Sequence, residues 1–76
     1  MAVCNNGSLA NLDRQMASQF YQARSAANPR QRALLERTRG SFLRFRDSCG
    51  TEACVAGAYR DRMREIADIM ADRWNP

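Results

Sequence analysis

The stretch "RFRDSCGTEAC", from Arg44 to Cys54, decides how this chain folds. Its left half ends an apolar-periodic run. Gly50 supplies a stop for a helix C-terminus. Thr51 can accept hydrogen bonds from the free amides of a following first turn, and Glu52 places an acid where the helix dipole favours one. The stretch therefore reads as a corner between two helices, with Cys49 on one side and Cys54 on the other.

Upstream of the corner, the spacing predicts a helix over about 29–48. Its apolar stripe is Leu34, Leu35, Thr38, Phe42, Phe45 and Cys49, the three-and-four spacing of one helix face. Gly40 interrupts it, at a cost of up to about 1 kcal/mol relative to alanine, and could let a neighbouring helix come close. Downstream, a helix is predicted over about 52–73, with Val55, Tyr59, Met63, Ile66 and Met70 as its stripe and Trp74 at its end.

Further back, Pro29 disfavours helical geometry at Asn28 and is suited to opening the next helix. A first helix is predicted over about 7–27, after a lead-in of residues 1–5. Asn6 or Ser8 would cap it, and its stripe is Leu9, Leu12, Met16, Phe20, Ala23 and Ala27. No alternating strand pattern, repeat or low-complexity tract is present. Both connections are short, so consecutive helices should be antiparallel neighbours. The expected fold is all-α: one domain over residues 1–76, an up-down-up three-helix bundle stapled by a disulfide at one end.

Size makes the staple matter. A 76-residue chain lies where a single core rarely supplies enough stability and a disulfide, metal or partner adds the rest. Antiparallel order brings Cys4, Cys49 and Cys54 to one pole. Cys49 shares a face with Phe42 and Phe45, whereas Cys54 falls off the stripe containing Tyr59. These facings favour Cys4–Cys49, with Cys54 left over. Closing that long loop would contribute about 3–4 kcal/mol by loop-closure entropy. A Cys49–Cys54 bridge across the turn is the alternative. Zinc would need four ligands, and three cysteines with no histidine do not supply them, so no metal or cofactor is expected.

The net charge is +4, and all 12 basic residues are arginine. With no histidine the chain lacks the usual general base and pH switch, so an enzyme is not expected. No apolar run approaches the roughly 20 residues that span a bilayer. The opening residues lack the basic and apolar regions of a signal peptide. The cysteines fit an oxidising compartment better than a reducing one, although their odd number leaves one thiol unmatched.

Residues spread along the chain carry a family pattern. Val3–Cys4 precede "LANLD" at Leu9–Asp13, and Phe20 follows seven positions on. "FL" at Phe42–Leu43 leads to "RD" at Arg46–Asp47 and then Cys49. Cys54, Tyr59, Arg62 and Ile66 close the series. In order and spacing the chain resembles the N-terminal domain of the bacterial LprI-like lysozyme inhibitors, over nearly its whole length. It departs from that pattern in having Phe42 where tryptophan is usual and Arg39 where glutamine is common. The family also carries a further cysteine about a dozen residues before the position of Cys4, which the resemblance offers as the partner of Cys54.

The resemblance implies a helical domain exported to the periplasm or secreted, with its signal peptide removed, no catalytic residues and a protein partner in the envelope. Lysozyme inhibition is the activity of its namesake. Within the pattern, Asp13, Arg46, Asp47, Tyr59 and Arg62 form a polar set. We read it as an interhelical salt-bridge and hydrogen-bond cluster that fixes helix register, with a binding surface as the functional alternative. On this reading Asp13→Ala lowers thermal stability. The arginines suggest an alternative function, a helical nucleic-acid-binding module, since a pI near 9.6 meets its electrostatic requirement. Acids interleaved along "RDRMREIADIMADR" argue against a phosphate-tracking stripe there, and nucleic acid is the less expected partner.

Overall fold

A computed structural model describes residues 2–74, with side chains from residue 9 onward. It contains α1 (Ala2–Ala26), α2 (Pro29–Asp47) and α3 (Glu52–Met70). The expected lead-in is instead helical. α1 runs through Asn5, Asn6 and Gly7, weak helix formers, so neither Asn6 nor Ser8 acts as its cap. Cys4 lies in this turn, and its side chain is outside the described residues.

Both later helices start from side-chain caps. Asn28 Oδ1 accepts from the Gln31 amide at 2.8 Å, and Gln31 Oε1 accepts from the Asn28 amide at 2.9 Å. This reciprocal box satisfies two otherwise free donors, and Pro29 follows at the first helical position. Thr51 Oγ1 accepts from the Cys54 amide at 3.1 Å, as the corner sequence requires.

α3 ends three residues earlier than its periodicity suggests. Asp72 adopts φ 58°. Its amide bonds to the Ile69 carbonyl, and that of Arg73 to the Asp68 carbonyl. This pair of bonds is a Schellman stop built on aspartate where glycine is usual. Gln31 is buried beneath it and donates to Met70 O and Asp72 Oδ1, both at 3.4 Å. One glutamine thus caps α2 and ties its start to the end of α3.

Phe42 stacks near Tyr59 with ring centroids 5.7 Å apart, while Gln31 meets Met70 at the other end. α2 and α3 are therefore antiparallel. α1 and α3 run parallel, since Leu12 packs near Tyr59 and Phe20 packs with Ile66 and Ile69. The up-down-up bundle is as expected, but the neighbours are not. α1 packs most extensively on α3, and α1 and α2 meet only sparingly.

The core has two apolar clusters. Phe20, Ala23, Leu35, Ile66 and Ile69 form one, and Phe42, Ala58 and Tyr59 the other. Phe45, expected inside, is 53% exposed. It borders a shallow groove with Ser41, Ala58 and Asp61 instead of filling the interior. The α3 stripe is rotated toward Ala58, Tyr59, Arg62, Ile66 and Ile69, leaving Met63 and Met70 half-buried. Trp74 packs against the first cluster.

Gly40 allows no close helix approach. A Cβ there would meet only Arg44 Nη1, at an ordinary 3.7 Å. Gly40→Ala should therefore stabilise the fold by about 0.5–1 kcal/mol, through lower unfolded-chain entropy. A thermal melt should show a rise of several degrees.

The disulfide joins Cys49 to Cys54, with Cα atoms 5.6 Å apart. The expected Cys4–Cys49 pairing is therefore not the one formed, and Cys54 is not left for an outside partner. Loop entropy and core facing favour Cys4–Cys49, but proximity decides otherwise. The Thr51-capped connection folds the α2 end back on the α3 start, and both half-buried cysteines lie on the corner itself.

Candidate functional site

Arg62 is the centre of the polar structure. It is 2% exposed and lies at the seam between the two apolar clusters, its guanidinium carbon 5.5 Å from the Phe20 ring centre and 6.0 Å from that of Phe42. Nη1 donates to Thr38 Oγ1 at 2.6 Å and to Glu65 Oε1 at 2.9 Å. Nη2 donates to the Leu35 carbonyl at 3.0 Å. Thr38 in turn donates to Leu34 O at 2.7 Å. Nε is buried without a partner. Burial lowers the Arg62 pKa from its ordinary value, and Glu65 offsets part of that. Glu65 also accepts from Trp74 Nε1 at 3.2 Å, so Trp74 anchors the chain end internally and is no exposed partner anchor.

The five-residue cluster expected from the sequence does not close on itself. Arg62 bonds Thr38, Leu35 and Glu65, none of which belonged to that set. Arg46 pairs with the adjacent Asp47 at 3.2 Å. Burial opposes the Arg46 charge, but Asp47 and Tyr59 outweigh it and raise the Arg46 pKa. Tyr59 is buried against Phe42. Asp13 is exposed and makes no hydrogen bond or ion pair among the described residues. The loss of stability expected for Asp13→Ala therefore has no structural basis.

Three of the five nevertheless share one feature. Asp13, Arg46 and Arg62 line a cleft of about 140 Å³ between α1 and α2, where those helices fail to pack closely. Met16, Phe20, Phe42 and Leu43 supply apolar surface. Arg39 stands on the α2 side, its guanidinium 5.9 Å from the Phe20 ring centre. Tyr21, 64% exposed, stands on the α1 side with its ring edge-on to Phe20 at 5.6 Å. The cleft can receive a small apolar group and offers cations around it. Arg39, Met16 and Tyr21 were not singled out as site residues from the sequence, because the cleft arises from a gap between helices that periodicity cannot show.

The charge is concentrated on the same helix. α2 holds six arginines against Glu36 and Asp47, a net +4 equal to that of the whole chain. Arg30, Arg37 and Arg44 recur every seven residues, as do Arg32, Arg39 and Arg46. Seven residues return to the same helix face within about 20°, so these are two rows. Arg30, Arg32, Arg37, Arg39 and Arg44 form no ion pair among the described residues. Glu36 is taken by Arg24 of α1 at 3.0 Å.

No helix among the described residues is long and apolar enough to cross a membrane. Compared with protein-family models, curated proteins and solved structures, the chain matches none.

Proposed function

We propose that this chain is a non-enzymatic binding module that works outside the cytoplasm, with the α1–α2 cleft as its contact surface. The observation that carries the reading is the cleft itself. It is an apolar recess in a very small domain, bordered by an exposed tyrosine and an arginine without an acidic partner. Tyrosine and arginine beside an apolar pocket are the residue types that dominate binding energy at protein interfaces. The Cys49–Cys54 disulfide supports an oxidising compartment, periplasmic or secreted.

The resemblance to the LprI-like family makes lysozyme inhibition the specific activity to test. A lysozyme active site is built on two carboxylates, which the arginines flanking the cleft could engage locally. The test is a titration of the chain against lysozymes of several structural classes. The expected result is dose-dependent inhibition, weakened about tenfold or more when Ala17, which lines the cleft on the α1 side, is replaced by phenylalanine and fills it, since a blocked anchor site loses its whole apolar contribution. No inhibition across the panel would remove lysozyme as the partner. Inhibition untouched by Ala17→Phe would remove the cleft as the surface.

The concentration of charge on α2 favours a second reading, a nucleic-acid-binding module. That reading predicts DNA or RNA binding that falls steeply with salt. The disulfide weighs against it.

A further inference from the structure

The cleft and one of the two arginine rows, Arg32, Arg39 and Arg46, lie on the same flank of α2, and together they specify a partner chemistry. Arg39 and Arg46 line the cleft, and Arg32 continues their row toward the start of α2. Volume sets the first limit. A cavity of about 140 Å³ is close to the roughly 150 Å³ that accommodates benzene in a protein core. One aromatic ring or one branched aliphatic side chain therefore fits it. Charge sets the second. Arg32 and Arg39 lack acidic partners among the described residues, and Arg46 is matched only by its exposed neighbour Asp47. Asp13 is the one acid among the cleft-lining residues.

We infer that the cleft takes a single aromatic or branched aliphatic side chain from an acidic polypeptide segment, whose carboxylates lie along Arg32, Arg39 and Arg46. The inference rests on the cleft being the contact surface, and is independent of whether lysozyme is the partner. Carboxylates suit this row because guanidinium groups bind them in bidentate fashion. A polypeptide fits better than a nucleic acid because the recess demands one apolar anchor between charges, which peptide spacing supplies.

The experiment is a fluorescence-anisotropy titration of the whole oxidised chain. The probe is a short labelled peptide of glutamates with one central phenylalanine. Three controls accompany it: the same peptide with central alanine, one with lysines replacing the glutamates, and a DNA duplex of equal charge. Saturable binding of the phenylalanine peptide is expected. Central alanine should weaken it by about tenfold or more, the worth of a buried ring. The lysine peptide should not bind. Arg39→Glu, at an exposed position, should weaken binding by about tenfold, while Asp13→Asn should tighten it by roughly twofold through removal of repulsion.

No saturable binding would overturn the inference, as would indifference to the central residue. DNA binding tighter than that of the phenylalanine peptide would overturn it in favour of the phosphate reading. A thermal melt of each variant separates lost binding from lost folding. If the peptide fails while Ala17→Phe still abolishes inhibition of a lysozyme, the contact surface stands and only the acidic-partner inference falls.

Discussion

Arg62→Ala should unfold the chain, or leave it folded only marginally. A domain of this size has a stability of about 4–11 kcal/mol. Truncating a large, fully buried side chain to alanine typically costs about 3–5 kcal/mol in lost burial and the cavity left behind, and here a hydrogen bond is lost as well. The Arg62 side chain fills the seam between the two apolar clusters, so its removal opens a cavity between Phe20 and Phe42. It also leaves the buried Leu35 carbonyl without its donor from α3. Arg62→Met separates packing from charge. Methionine refills most of the volume, Thr38 keeps its bond to Leu34, and the half-buried Glu65 can turn to water. Arg62→Met should therefore cost only about 1–2 kcal/mol, chiefly for the Leu35 carbonyl. Urea denaturation followed by circular dichroism would read both. Equal losses for the two variants would show that Arg62 serves by charge alone.

Reduction of the disulfide should have the second-largest effect. A bridge between residues five apart closes a short loop, and loop-closure entropy puts its contribution at about 2 kcal/mol. A Cys4–Cys49 bridge would contribute about 4 kcal/mol on the same estimate. The melting temperature of the reduced chain should fall by about 8–16 °C, using roughly 4–8 °C per kcal/mol for a domain of this length. The bundle should survive, because the larger core cluster of Phe20, Ala23, Leu35, Ile66 and Ile69 lies along the helices away from the corner. Under oxidising conditions alkylation followed by mass spectrometry should label Cys4 and spare Cys49 and Cys54. Labelling at Cys54 would restore the pairing that loop entropy favoured.

Much of the fold is legible in the sequence, for local reasons. The Asn28–Pro29 break, the Gly50–Thr51 corner and the three-and-four apolar spacing each act within a few residues, so they can be read without knowing what packs where. Asn28 and Gln31 even carry the spacing of a capping box. What remained hidden depends on distant partners. Arg62 occupies a position on the buried face of α3 where periodicity alone asks for an apolar residue. Only the Thr38 hydroxyl and the Leu35 carbonyl of α2 make its charge tolerable there. Phe45 continues the α2 stripe in sequence but borders an open groove. Asp72 in the left-handed region ends α3 with no glycine to announce it.

The candidate site was less legible still. The sequence places Asp13, Arg46 and Arg62 in one polar set, but as a closed cluster. The structure puts them around an opening, because α1 turns its apolar face to α3 and leaves α2 beside it sparsely packed. The two arginine rows are visible as seven-residue repeats in "PRQRALLERTRGSFLRFRD". Their lack of acidic partners becomes apparent only when Glu36 is seen to be claimed by Arg24 across the α1–α2 gap.

The proposed contact surface, the α1–α2 cleft, can be mapped residue by residue. The most direct test is a nuclear magnetic resonance titration of the isotope-labelled chain with the glutamate peptide bearing a central phenylalanine, following every backbone amide. The largest shifts are expected at Met16, Ala17, Phe20, Arg39 and Leu43, on facing sides of the cleft, with Arg32 and Arg46 next. Shifts confined to α3, or spread evenly over Arg30, Arg37 and Arg44 as much as over the cleft row, would contradict that contact surface.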